Sequence, residues 1–252
     1  MVTANRGHLV RRAVRCYQQQ TYPRKELVVV DDGEEDLSGI LSVLPEEEVR
    51  YIKLERHPDN VLGALRNRAL DEARGDYLVQ WDDDDWYHPE RIARQVAVLE
   101  QGFDACTLSG SLMHLDDPVF YCHPYVGYLP DGIPGSIMHR RNEHIRYPEM
   151  RRAEDTVYLK AWIEQGRYTR LPRTEVYLFI RCFHGANTWE KKHFLTRMRN
   201  TPVDTLRFLW YRYLRGNLFL HPRFQLSPEA RAAFQQYLRE SVELGLLAPR
   251  EC

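Results

Sequence analysis

Four carboxylates stand in a row, Asp82-Asp83-Asp84-Asp85, between Trp81 and Trp86. At neutral pH they repel one another, and such a run persists in a folded site chiefly where positive charge sits among them. Their oxygens suit a hard divalent cation such as Mg²⁺ or Mn²⁺. The run follows the apolar Tyr77-Leu78-Val79 and precedes a helix start at Pro89-Glu90-Arg91. It therefore sits at the carboxyl end of a strand, where open α/β sheets bind ligands. Taken alone, the run is explained equally well as a solvated acidic turn.

Further groups could join it. Asp31-Asp32-Gly33 closes a second apolar run, Leu27-Val28-Val29-Val30. A carboxylate there can accept hydrogen bonds from a base imide or a ribose hydroxyl, or merely cap the next helix. Glu154-Asp155 opens a helix, which stabilises negative charge and suits either a cap or a general base. His184, within His184-Gly185-Ala186-Asn187-Thr188, can complete a metal site begun by carboxylates. Arg140, Arg141, Arg146, Arg151 and Arg152 gather positive charge just before Asp155, enough to meet a diphosphate. Trp210-Tyr211-Arg212-Tyr213-Leu214-Arg215 mixes aromatics with arginines, a pattern of core packing with snorkelling cations or of membrane-surface contact.

The elements that position these groups alternate. Met1 to Ala4 reads as a short strand, so either the first strand is brief or residues precede it. Helices are expected over 8–20, 37–44, 62–74, 89–99 and 154–165, and strands over 26–30, 50–54 and 77–81. The continuous apolar run at 27–30, β-branched over 28–30, requires a sheet covered on both faces. Strand–helix alternation implies parallel pairing with right-handed crossovers. Beyond residue 101 strands are expected at 105–114, 119–123 and 175–181. Everything from 190 onward reads as helical, broken between Gly216 and Pro222.

The chain has 252 residues, 43% of them hydrophobic, with formal net charge −1. That supports a sizeable core and gives no signature of nucleic-acid binding. The five cysteines are odd in number and lack paired spacing, which fits a reducing, cytoplasmic setting and argues against a disulfide framework or a zinc site. No stretch reaches transmembrane length and no signal peptide is visible. A GxGxxG fingerprint and a Walker A loop are both absent.

Taken in order, the motifs resemble the inverting family 2 glycosyltransferases. Thr3-Ala4-Asn5-Arg6 looks like that family's opening motif. Gln20-Thr21-Tyr22-Pro23, with Glu26 to Gly33, is close to its second-strand signature. Gly63-Ala64-Leu65-Arg66-Asn67 is similar to its Gly-x-x-Arg-Asn helix. Asp82-Asp83-Asp84 stands in the place of its DxD motif, and Glu154-Asp155 in that of its base motif. The likeness runs from Met1 to about Thr188.

The resemblance implies a GT-A fold: an α/β, Rossmann-like, mostly parallel sheet flanked by helices, with a C-terminal helical appendage. Residues 1–189 would form the transferase domain (1–100 the nucleotide half, 101–189 the acceptor half) and 190–252 the extension. The function implied is metal-dependent, inverting transfer from a nucleotide-diphosphate sugar, commonly a UDP-sugar, to an acceptor hydroxyl. Asp155 would be the base. Asp82, Asp84 and His184 would hold Mn²⁺ or Mg²⁺. Thr3, Asn5, Arg6, Asp32, Arg66 and Asp83 would contact the nucleotide. Gly135, Ser136, Glu154 and Trp189 would line the donor and acceptor pocket.

Two departures qualify this. Val2 and Ala4 stand where the family has Pro and Tyr, and Ala4 removes an aromatic partner for the base. A binding module that keeps nucleotide or glycan affinity without turnover is the alternative. The C-terminal helices are candidates for a dimer contact, a cover over the acceptor or a peripheral membrane contact. The acceptor itself, whether glycan, lipid-linked or another hydroxyl, is not written in the sequence.

Overall fold

The computed structural model describes residues 1–183, 196–199, 201–250 and 252. The chain forms two compact units, each built from two stretches: Met1–Thr107 with Pro134–Leu171, and Leu108–Ile133 with Pro172–Cys252.

The first unit holds strands β1 (Val2–Thr3), β2 (Leu27–Asp31), β3 (Val49–Lys53), β4 (Tyr77–Val79) and β5 (Trp86–Tyr87), and helices α1 (Gly7–Gln18), α2 (Ser38–Leu41), α3 (Leu62–Glu72) and α4 (Arg91–Leu99). All five residues of β2 are buried. It lies between β1 and β3, parallel to both, with Thr3 beside Asp31 and Asp31 beside Lys53. Strands β6 (Ala105–Leu108) and β9 (Met138–Arg140), helix α5 (Glu154–Gln165) and strand β10 (Tyr168–Leu171) complete this unit. The order of the second sheet is β10-β6-β9-β4, antiparallel where β9 meets β4 and β6. One core cluster packs Val28, Val30 and Leu65 between β2 and α3. Another packs Tyr147, Tyr158 and Trp162 with Ala105 and Ile137, and Tyr147 stacks on Tyr158 with ring centroids 3.7 Å apart.

The second unit is built on β7 (Gly110–Leu115), β8 (Tyr125–Tyr128) and β11 (Phe179–Phe183), with β7 antiparallel to β8 and parallel to β11. Helices Pro202–Leu209 and Pro228–Glu243 follow, joined by a π-turn at Trp210–Leu214 and short 3-10 turns. Met113, Leu115, Tyr125 and Met198 form its core, with Phe208 and Phe224 packed against them.

Three expectations change here. Residues 119–123 form a turn and the strand comes later, at Tyr125–Tyr128. Pro118 lacks the N–H a ladder needs, and Asp117 collects the chain instead, its carbonyl accepting from Phe120 and Tyr121 and its Oδ1 from Val119. The segment Arg173–Leu178 is 3-10, and the strand starts only at Phe179. Cys122 and Cys252 form a disulfide across 130 residues, contrary to the reading from cysteine count. The fold brings them together: Tyr121 Oη donates to Ala248 O at 2.8 Å and Arg250 lies 4.6 Å over the Tyr121 ring. No local spacing pattern encodes such a pair. Cys16, Cys106 and Cys182 are buried thiols outside that disulfide. Among the described residues no helix is long and apolar enough to cross a membrane.

Candidate active site

The carboxyl ends of β2 and β4 and the start of α5 carry the acidic groups, with Thr3 and Arg6 beside them at the end of β1, all within the first unit. At the end of β2 the two aspartates divide. Asp31 is fully buried; its Oδ1 accepts from Gly33 N at 2.8 Å, and its Oδ2 accepts from Tyr51 Oη at 2.8 Å and Lys53 Nζ at 2.9 Å. Tyr51 and Lys53 reach it from β3, the neighbouring strand. Asp31 therefore fixes the turn. Asp32 is half-buried, with no side-chain hydrogen bond among the described residues, and is the carboxylate of the pair open to a ligand.

The turn after β1 is clamped to this one. Asn5 adopts φ 54°, a left-handed conformation that Asn tolerates. Its Oδ1 accepts from Glu34 N at 2.6 Å and Glu35 N at 3.1 Å, and Glu35 Oε2 accepts from Gly7 N at 2.9 Å. A Cβ on Gly33 would strike the Asn5 backbone nitrogen, which explains glycine at the tip.

The Asp82–Asp85 run splits by direction. Asp83 is buried, and both its oxygens are engaged: Oδ2 accepts from Thr3 Oγ1 at 2.6 Å and Oδ1 from Arg6 Nη1 at 3.2 Å. Burial and the adjacent Asp84 charge push its carboxyl up to about 6, against the pull of Arg6 and Thr3. Asp85 is buried too. Asp82 and Asp84, two residues apart, keep about a fifth of their side-chain surface exposed. Asp84 is held through its backbone, where Arg12 Nη2 donates to its carbonyl at 2.6 Å, and its Oδ2 lies 3.5 Å from Arg6 Nη1. The Asp82 backbone is pinned by Tyr87, whose Oη accepts from Asp82 N at 2.7 Å.

Arg66, on α3, joins this run to the helix of the candidate base. Its Nη2 donates to Asp82 Oδ1 at 2.9 Å and its Nε to Glu154 Oε1 at 3.0 Å. Burial alone would lower the affinity of Arg66 for its proton, but the Asp82 and Glu154 charges outweigh it and raise it. Burial raises the Glu154 carboxyl, and Arg66 opposes this. α3 can sit this close because its second residue is Gly63, where a Cβ would strike Pro148 O; Gly63 N donates to Met150 O at 3.1 Å. The chain then enters α5 through Ala153 at φ 61°, a left-handed conformation that costs a non-glycine residue about 1–3 kcal/mol. Asp155, next along, is half-buried; its Oδ1 accepts from Thr156 N at 2.7 Å.

The structure thus gathers Thr3, Arg6, Asp83 and Asp84 in one hydrogen-bonded set and Arg66, Asp82 and Glu154 in a second, the two joined through the chain at Asp82-Asp83. Asp32 stands at the adjoining strand end, and Asp155 directly follows Glu154. Gly135 and Ser136 form a buried 3-10 turn whose Ser136 carbonyl accepts from Gln95 Nε2 at 2.8 Å. His184 and Trp189 lie outside the described residues. Sequence reading named Asp31 only as part of the Asp31-Asp32-Gly33 turn and did not single out Tyr51, Lys53, Arg12 or Tyr87. Only the alternation along β3 hinted that Tyr51 and Lys53 share a face. Among the described residues no three His, Cys, Asp or Glu side chains are already disposed to hold a metal. The partly exposed Asp82 and Asp84 nonetheless offer the hard oxygen donors that Mg²⁺ or Mn²⁺ takes. A cavity of 390 Å³ between β2 and β4 is lined by Glu26, Leu27, Val28, Tyr77 and Leu78. It opens at the strand starts, the opposite rim from the carboxylates, so chemistry and volume disagree. The titratable cluster and the strand-end rule favour the carboxylate rim.

Known proteins resemble this chain in sequence or in fold. The putative colanic acid biosynthesis glycosyl transferase WcaA of Escherichia coli is 34% identical over 106 residues, 40% of this chain and 37% of that protein. The uncharacterized glycosyltransferase YwdF of Bacillus subtilis is 30% identical over 100 residues, again 40% and 37%. These matches span well under half the length of either relative. Among solved structures, S. aureus TarS 1–349 in complex with UDP-GlcNAc superposes with TM-score 0.58 at 16% identity, covering 98% of this chain and 82% of that one. The mannosyltransferase PcManGT of Pyrobaculum calidifontis, in complex with GDP-Man and Mn²⁺, gives 0.56 at 16% identity over 98% and 79%. At such identities the likeness is one of fold, and the fold is GT-A. The profile of "Glycosyl transferase family 2" matches residues 1–212, and the chain belongs to that family.

Proposed function

We propose that this protein transfers a sugar from a nucleotide-diphosphate donor to an acceptor hydroxyl by direct displacement, with inversion. The observation that carries the reading is the Arg66 bridge: one guanidinium ties Asp82 of the acidic strand end to Glu154, the neighbour of Asp155. Donor-binding and proton-accepting groups are thereby held in one frame, as a near-attack geometry demands.

In this reading Asp32 accepts from the nucleobase, and its exposure beside the locked Asp31 supports that role. A UDP-sugar is the favoured donor, with uracil as the base. Asp82 and Asp84, with His184, hold Mn²⁺ or Mg²⁺ when the donor binds; the ion supplies Lewis-acid neutralisation of the diphosphate charge. Thr3, Arg6 and Asp83 act from beneath. With its oxygens committed to Thr3 and Arg6, Asp83 sets the turn that aims its two neighbours. Asp155 accepts the acceptor's proton as the hydroxyl oxygen bonds to C1 and the C1–O bond to the diphosphate breaks. Its place in the first turn of α5 sets its negative charge at the positive end of the helix dipole. Gly135 and Ser136 belong to the wall of the pocket. The TarS complexes with UDP and UDP-GlcNAc and the PcManGT complex with GDP-Man and Mn²⁺ concern proteins of the same fold and lend the reading support.

The test is thermal stabilisation by UDP, against GDP, ADP, CDP and dTDP, with and without Mn²⁺. Asp84→Asn is expected to lose the metal-dependent rise. Asp155→Asn is expected to keep it while donor turnover falls about 10²–10⁴-fold. If no nucleoside diphosphate stabilises the protein, the donor site is refuted. If Asp155→Asn turns over normally, the base is refuted.

A further inference from the structure

Helix Pro202–Leu209 and the π-turn Trp210–Leu214 carry a stripe that the transferase reading does not use. Val203, Leu206, Leu209, Trp210, Tyr213 and Leu214 are exposed, between 44% and 72%. They recur at spacings of three and four, so they share one side. The other side is spent: Phe208 packs in the core of the second unit, and Asp204 accepts from Arg223 Nη2 at 2.7 Å. The helix start is fixed by Thr201, whose Oγ1 accepts from Asp204 N at 3.1 Å, and by Pro202 in the first turn. The apolar side is thus held outward by a well-anchored helix. Leu206, Leu209, Trp210, Tyr213 and Leu214 line a shallow groove together with Arg207.

Charge says what covers it. Arg207, Arg212 and Arg215 are exposed on the same segment. No acidic residue occurs between Asp204 and Glu229. A second copy docked through a two-fold axis would set these arginines against their own images. An anionic lipid surface would meet the arginines with charge and the leucines with acyl chain, and Trp and Tyr are the side chains that settle at that boundary. We propose that residues 203–215 form an interfacial docking surface for an anionic membrane, lying in the headgroup plane without crossing the bilayer. The consequence is that a lipid-borne acceptor can be met in two dimensions.

The experiment is cosedimentation of the full chain with phosphatidylcholine vesicles containing or lacking phosphatidylglycerol, over a salt series. The expected result is binding to the anionic vesicles alone, weakened by salt. Arg207→Gln/Arg212→Gln/Arg215→Gln should weaken it roughly a hundredfold, at about fivefold per arginine. Leu206→Glu/Trp210→Glu should abolish it with the melting temperature unchanged, since both side chains are exposed. A blue shift of tryptophan emission on the vesicles should vanish in Trp210→Phe. The proposal is overturned if anionic vesicles do not retain the wild type or if both multiple variants bind as it does. It is also overturned if Leu206→Glu/Trp210→Glu merely dissolves a dimer that forms without lipid.

Discussion

In the first unit Arg66 is 11% exposed and divides its guanidinium between two carboxylates, and Arg91 is fully buried, donating to Gln80 O and Gln95 Oε1. In the second unit Arg207, Arg212 and Arg215 stand in solvent beside an apolar stripe. The difference teaches what burial demands of a cation. Withdrawn from water it is held by specific acceptors, and it then dictates where those acceptors lie. Left in water it dictates nothing locally and keeps its charge for a partner.

Removing the buried cation breaks the contrast most severely. Arg66→Ala leaves Asp82 and Glu154 without their counter-charge, and a loss of about 3–5 kcal/mol is expected by urea denaturation. A loss no larger than that of a surface change would abolish the distinction between the units.

The buried imidazole of His139 carries the same logic to pH. Its Nδ1 lies 2.8 Å from Arg140 O and its Nε2 2.9 Å from Tyr158 Oη, the pattern of a neutral ring that donates once and accepts once. Burial pushes it down to about 4 from 6.5. Above pH 6.5 neither folded nor unfolded chain binds this proton. Between the two values only the unfolded chain does, so stability falls as pH drops through 6.5 and levels off below about 4. The full contribution is about 3 kcal/mol. Denaturation midpoints across that range should show the slope and His139→Gln should flatten it.

Next in size is Gly63→Ala. The added methyl meets Pro148 O, backbone that cannot swing aside, and about 1–3 kcal/mol should be lost in the same titration. Smallest is the reverse case: Arg212→Gln should change stability by less than about 0.5 kcal/mol. A larger loss would show that the exposed arginines are structural after all.

How far the sequence disclosed this follows from how far apart the interacting groups lie along it. The buried run Leu27–Val30 and the acidic turn after Tyr77–Val79 were legible because each is a local pattern. The locking of Asp31 was not, since it is decided by Tyr51 and Lys53 on another strand. Nor was the Arg66 bridge, whose partners lie 16 and 88 residues away. Cys122 and Cys252 went unpaired in the reading for the same reason. In the second unit Pro118 and the Asp117 turn displaced a strand that residue types alone suggested, because hydrogen bonding at one position outweighed β propensity over five.

The Asn5 clamp has a consequence for inheritance and for engineering. One amide oxygen takes the N–H groups of Glu34 and Glu35, and the Glu35 carboxylate accepts in turn from Gly7 N. The loop after β1 and the loop after β2 are therefore a single exchangeable part, although they are separated in the gene. A graft meant to change donor preference by replacing residues 32–36 alone would import half a joint. The two segments should be swapped, or diverge between relatives, as a pair.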